Sequence, residues 1–232
     1  MESHAPLYPV FLSLKNQHCL VAGLGEVGLR KLSHLLDCKP ASVLALDTGI
    51  PSGKALPLLE KDCVRFERRV CSPEDIAGKS LVFAATASKE ENTRIAGLCL
   101  KMGVLCNCAA PPGLGNVFLP AVARQGRLAA ALSTGGASPA LARQWRDELT
   151  AWLAPRRRAA HLLGRLRPLL LGLPDHAGKN KKILQKLAAS SLQRRLADGD
   201  VKSCQTWLAA ELPVELHAHI APLLAELFDD LS

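Results

Sequence analysis

Aromatic residues are scarce in this chain, 4% of the sequence against 48% hydrophobic residues overall. Leu, Ala and Val must therefore fill whatever core it builds. Long apolar runs are missing too, because charges and prolines interrupt each candidate for a membrane span. The opening residues, M-E-S-H-A-P-L-Y-P, lack a basic stretch followed by an apolar one. A soluble, cytoplasmic protein with no membrane partner is the expectation. No C-x-x-C pair occurs among the eight cysteines, Cys19, Cys38, Cys63, Cys71, Cys99, Cys106, Cys108 and Cys204. Scattered through apolar surroundings, they read as reduced, buried hydrophobes and not as a disulfide framework. Acids are almost absent from one segment, where eleven Lys and Arg between Arg156 and Arg195 meet only Asp175. The net charge of +8 is concentrated there, leaving the remainder slightly acidic. Such a segment suits nucleic acid, an anionic membrane or a polyanionic small molecule, or is a solvated helical face.

The first hundred residues alternate β-rich and helical runs. Strands are expected at 18–23, 42–47, 64–69, 80–86 and 104–108, with helices at Val27–Leu36 and Glu90–Met102. This β-α-β order implies a parallel sheet covered by helices on its faces. Two further strand-like runs follow, N-V-F-L-P-A-V-A and R-L-A-A-A-L-S-T, joined by a tight turn at R-Q-G-R. G-G-A-S-P then supplies Ser138 as N-cap and Pro139 at the first helical position of a helix reaching about Leu153. Pro155 ends that helix, and the rest reads as all-helical, with breaks near Gly172–Gly178 and Gly199–Asp200.

Gly23-Leu24-Gly25-Glu26-Val27-Gly28 is a complete G-x-G-x-x-G between a strand and a helix, the setting that gives this weak pattern its meaning. Gly23 permits a tight turn, Gly25 lets backbone approach a pyrophosphate, and Gly28 allows close helix–strand packing. The helix start adds unpaired N–H groups suited to phosphate oxygens. Asp47 closes the second strand nineteen residues after Gly28. A carboxylate there accepts the ribose hydroxyls of NAD and repels the extra phosphate of NADP, and no arginine follows it immediately. The fold class is therefore α/β, a Rossmann-type NAD-binding sheet at residues 1–112, a small strand-containing region at 113–152, and a basic helical domain at 153–232.

At several points the chain resembles the siroheme synthase N-terminal module, the precorrin-2 dehydrogenase / sirohydrochlorin ferrochelatase family. The resemblance rests on Y-P-V-F-L-S-L-K, V-A-G-L-G-E-V-G-L-R-K, F-A-A-T-A-S-K-E-E-N, the C-N pair at 106–107, and L-S-T-G-G-A-S-P-A-L-A-R. It covers about residues 7 to 150. It implies a homodimer in which the 113–152 region mediates dimerisation. It also implies NAD-dependent oxidation of precorrin-2 to sirohydrochlorin, with NAD contacts at Glu26, Val27, Asp47, Thr48 and around Thr86. The polycarboxylate tetrapyrrole gives the basic segment a partner, and nucleic acid recedes because no recognition motif supports it.

One departure stands out. Members of this family commonly carry an aspartate three residues after the asparagine of the C-N pair, serving dehydrogenation and metal insertion. Here that position is Ala110. An alanine neither moves a proton nor ligates iron, so no catalytic residue is assigned, and a dehydrogenase with little or no ferrochelatase activity is expected. A separate downstream chelatase would then insert the metal. A bifunctional enzyme and a non-catalytic carrier or sensor of NAD or tetrapyrrole are the alternatives, and an ordinary small-substrate dehydrogenase is a weaker one. Asn107, Cys108, Ser133 and Thr134 are substrate-binding candidates. No metal site is expected: Cys106 and Cys108 read as buried thiols and His217 and His219 as surface residues. Trp145, Trp152 and Trp207 read as packing residues.

Overall fold

The computed structural model describes residues 6–111, 113–174 and 177–229. Asp175 and Pro112 lie outside them. The chain clusters into two compact units, Met1–Leu119 and Pro120–Ser232. The strand pair and helix expected at 113–152 fall in the second unit with the helical tail.

The first unit is a five-stranded parallel sheet of β1 (His18–Ala22), β2 (Ser42–Asp47), β3 (Val64–Arg68), β4 (Leu81–Ala84) and β5 (Leu105–Cys108), in the order β3-β2-β1-β4-β5. The strands are apolar almost throughout because helices cover both faces, and side chains alternate between those faces. Cys19, Val21, Val43, Ala45, Leu81 and Phe83 bury against Leu32 and Leu35 of α1 (Glu26–Leu36). Leu20, Ala22, Val82, Ala84, Cys106 and Cys108 point the other way, against Ile95, Ala96 and Cys99 of α4 (Lys89–Lys101). Two single-turn helices, α2 (Leu56–Leu59) and α3 (Pro73–Ile76), complete the connections.

In the second unit β6 (Ala121–Gln125) pairs antiparallel with β7 (Leu128–Leu132) through a two-residue turn, in which Gly126 adopts φ 56°. A hairpin this tight needs a positive φ at its first turn residue, hence glycine. The first strand of the pair starts later than the sequence pattern suggests. Residues 115–117 instead run along β5: Val117 N donates to Cys106 O at 3.0 Å, and Cys106 N donates to Asn116 Oδ1 at 2.7 Å. Helix α5 spans Pro139–Leu153, capped as expected by Ser138, whose hydroxyl accepts from Leu141 N at 3.2 Å. Pro155 ends α5 but starts a single 3-10 turn that leads directly into α6 (Arg157–Leu171). Helices α7 (Ala177–Ala189), α8 (Leu192–Asp198), α9 (Val201–Glu211) and α10 (His217–Asp229) follow. Gly199, at φ 78°, ends α8 in the left-handed conformation that favours glycine. The helical core is almost entirely leucine, including Leu162, Leu166, Leu170, Leu196 and Leu208.

Trp207 packs against that core, but Trp145 and Trp152 do not bury. With Leu141 they form an exposed stripe along one side of α5, at spacings of four and seven residues. Arg156 lies over the Trp152 ring, 3.9 Å from its centre.

Candidate functional site

Strand register lays out the edge of the sheet where the site forms. Ala22 aligns with Leu46 and Ala84, Asp47 with Arg68, and Ala84 with Cys108. The ladder continues one step further: Gly23 N donates to Leu46 O at 2.7 Å, Ala85 N to Ala22 O at 2.8 Å, and Ala109 N to Ala84 O at 2.8 Å. Across the carboxyl edge the residues therefore run Arg68, Asp47, Gly23, Ala85, Ala109. Strand order reverses between β1 and β4, so the crevice of a doubly wound sheet opens above Gly23.

The three glycines there do different things. Gly23 has φ 94°, and a Cβ on it would sit 2.3 Å from Ala85 O. A Cβ on Gly28 would lie 1.8 Å from Gly23 O, so α1 can approach its own loop only with glycine there. Gly25 faces open space, with no protein atom within 4 Å of an added Cβ. No neighbour in the chain requires glycine at 25, whereas a pyrophosphate lying on that backbone does. Gly25 is also the N-cap of α1 and supplies no side chain to its first turn, so those N–H groups stay available to an anion. Glu26 and Val27 are exposed at the same helix start. These residues fit a dinucleotide.

Asp47 is half-buried and already engaged. Its carboxylate accepts from Leu24 N at 2.5 Å and from Gly49 N at 2.7 Å, tying the glycine loop to the end of β2. Thr48 is exposed, and its carbonyl accepts from Arg68 Nε at 3.0 Å. On the far side of Gly23, Thr86 is held by a residue that sequence reasoning passed over. Asn92, fully buried in α4, accepts from Thr86 N at 2.9 Å and from Thr86 Oγ1 at 2.8 Å. Its amide nitrogen donates to Thr86 O and to Ala110 O, both at 3.1 Å. Asn92 thus clamps the end of β4 to the segment after β5. Asn92 sits among Glu90, Glu91, Thr93 and Arg94 in the polar first turns of α4, so its neighbours in sequence gave no sign that its amide is buried and paired.

The remaining candidates occupy defined places. Asn107 is half-buried and donates to Val117 O at 2.8 Å. Cys108 donates to Ala110 O at 3.5 Å, and burial raises its pKa. Ala110 brings only its backbone carbonyl into this network. Ser133 and Thr134 belong to the second unit, where they build the turn before α5. Ser133 Oγ accepts from Gly135 N at 3.2 Å, and Thr134 Oγ1 accepts from Ser138 N at 3.2 Å. The cysteines of the first unit are buried apart from exposed Cys38 and half-buried Cys63. Burial pushes Cys19 up to about 11 and Cys71 up to about 12, and a hydrogen bond to Cys106 plus burial keeps the Cys99 thiol protonated. Such thiols are inert at neutral pH. Among the described residues no cluster of three His, Cys, Asp or Glu could hold a metal ion. No described helix is long and apolar enough to cross a membrane. His217 Nε2 lies 3.1 Å from Leu212 O, and His219 is exposed.

Residues 10–121 match a family described as putative NAD(P)-binding. The siroheme synthase of Methylococcus capsulatus is 34% identical over 164 residues, 68% of this chain and 34% of its own length. Siroheme synthase 1 of Aeromonas hydrophila is 28% identical over 205 residues, 87% of this chain and 43% of its own length. Over two thirds or more of its own length the chain is thus similar to siroheme synthases. It spans less than half the length of these siroheme synthases. Among solved structures, SirC, a precorrin-2 dehydrogenase, superposes with TM-score 0.71 at 22% identity, covering 86% of this chain and all of its own. That likeness establishes the fold: the parallel sheet, the strand pair and the helical region.

Proposed function

We propose that this protein is an NAD-dependent precorrin-2 dehydrogenase that forms sirohydrochlorin, with little or no capacity to insert iron. The observation that carries the reading is the Gly23–Asp47 corner at the strand reversal, built to hold a dinucleotide, with Ala110 a few residues beyond the same edge. Asp47 marks the adenosine side over β2, which leaves the nicotinamide side to Thr86 and the segment after β5. The nicotinamide, when bound, supplies the hydride acceptor. The chain's own contribution is then to orient: Gly25 and the first turn of α1 take the pyrophosphate, Asp47 takes ribose hydroxyls, and Asn92 fixes Thr86 against Ala110. Placing the reacting carbon against the acceptor is chiefly a matter of geometry, so it survives the loss of an acid.

Metal insertion does not. It requires pyrrole protons to be removed and a cation to be guided in, and Ala110 offers a methyl group where an acid would stand. The exposed Leu141, Trp145 and Trp152 stripe supports the association of two copies through the hairpin and α5. The octa-anionic substrate class suits the basic segment between Arg156 and Arg195.

The test is NADH formation on mixing the full chain with precorrin-2, followed by iron supplied with sirohydrochlorin. NADH is expected, and siroheme is expected to form no faster than without protein. An Ala110→Asp variant should gain insertion and keep dehydrogenation. Insertion by the native chain well above the spontaneous rate overturns the second half, and absence of NADH overturns the first in favour of a carrier.

A further inference from the structure

Three arginines lie on or just after β3, and two are neutralised. Arg65 pairs with Glu67 at 2.7 Å. Arg69 pairs with Glu67 at 2.7 Å and with Asp75 at 2.5 Å. Arg68 differs. It is exposed, its Nε donates to Thr48 O at 3.0 Å, and it shares no ion pair with any described carboxylate. The hydrogen bond anchors the base of the guanidinium on the residue that follows Asp47, and register sets Arg68 directly beside Asp47. Its terminal nitrogens make no hydrogen bond or ion pair with the described residues.

We propose that Arg68 is a cofactor-specificity residue, placed to bind the 2′-phosphate of an adenosine ribose, so that the site accepts NADP as well as NAD. The inference rests on the reading of the glycine corner as a dinucleotide site. Asp47 by itself would repel a 2′-phosphate. Here its two oxygens already accept Leu24 N and Gly49 N, which spread its charge over backbone donors. A guanidinium next to it offers planar, paired donors matched to phosphate, fixed by the Thr48 contact before any ligand arrives. The usual discrimination against NADP by a strand-end acid is therefore weakened at this corner. No arginine follows Asp47 immediately in the sequence; Arg68, twenty-one residues later, is set beside it by strand register.

The experiment is calorimetric titration of the full chain with NAD+ and, separately, NADP+, for the native protein, Arg68→Ala and Arg68→Lys. The quantity read is the ratio of the two Kd values. The expected result is a ratio that shifts about tenfold against NADP+ in Arg68→Ala, with NAD+ affinity changing less than about threefold, and partial recovery in Arg68→Lys. Because Arg68 is exposed, neither change threatens folding. A ratio unchanged by Arg68→Ala overturns this inference while leaving the dinucleotide site standing. Failure of both dinucleotides to bind the native chain overturns the site and the inference together.

Discussion

At the scale of single residues, Asn92 carries more of the site than its place in the sequence suggests. Its side chain makes four hydrogen bonds inside the protein, three to Thr86 and one to Ala110. Asn92→Ala should cost about 1–3 kcal/mol in urea denaturation, the penalty of stranding buried backbone groups. It should also weaken dinucleotide binding, since Thr86 loses its support. Asn92→Asp keeps the acceptor but turns a carboxylate toward the Thr86 and Ala110 carbonyls in a buried site, so it should be at least as destabilised as the alanine variant. What was legible at this scale is what is contiguous: Gly23, Gly25 and Gly28 announce themselves by spacing alone. Arg68 owes its role to strand register, which sets it beside a residue 21 positions away, and Asn92 to the packing of α4 against the ends of β4 and β5, which lets it span 18 positions to Ala110. A motif scan has no access to that.

Among the elements, the short α3 shows how a turn of helix is pinned. Ser72 caps it in a reciprocal box with Asp75, and Asp75 also takes a paired contact from Arg69. Those bonds, led by the one from Arg69, hold the Asp75 carboxyl at about 2, below its usual 3.8. As pH falls, the unfolded chain takes up this proton first. The stabilisation is complete above the ordinary carboxylate value and is lost on descending toward about 2. Asp75→Asn should flatten that part of the stability–pH curve, as read by thermal unfolding between pH 5 and pH 2. The elements most visible in the sequence were those with explicit start signals. Ser138-Pro139 gave α5 its first residue, whereas the Ser88 cap of α4, which accepts from Glu91 N at 3.0 Å, emerged only from the structure. The run N-V-F-L-P-A-V-A misled because its first two residues edge β5 and do not join β6, with side-chain amides replacing part of a strand ladder.

Taken as a whole molecule, the chain holds separate cores, two on the faces of the sheet and one among the helices. Among the described residues the helical core contains no fully buried aromatic, so each leucine fills a larger share of it. Leu166, fully buried on α6, is the clearest case. Leu166→Ala should cost about 2–5 kcal/mol. Followed by circular dichroism and by dinucleotide binding in parallel, the loss should fall on the helical unit, with binding retained at denaturant concentrations where helix content has dropped. The α/β alternation and the helical tail were readable from periodicity. The grouping of the hairpin with the helices was not, since it depends on which faces pack, and composition is silent on that.

The sheet has two outer strands, and the chain treats them differently. β5 is edged by its own following segment, through Val117 and Asn116. β3 lies at the other end of the order, with charged Arg65, Glu67 and Arg68 along it. An unpaired strand is a template on which other chains can stack, and alternating charges are how natural sheets discourage it. The arginine-rich end of β3 therefore serves the solubility of the protein as well as its ligand. A variant stripped of those charges would meet its first difficulty in the test tube as aggregation during refolding, before any assay of cofactor choice.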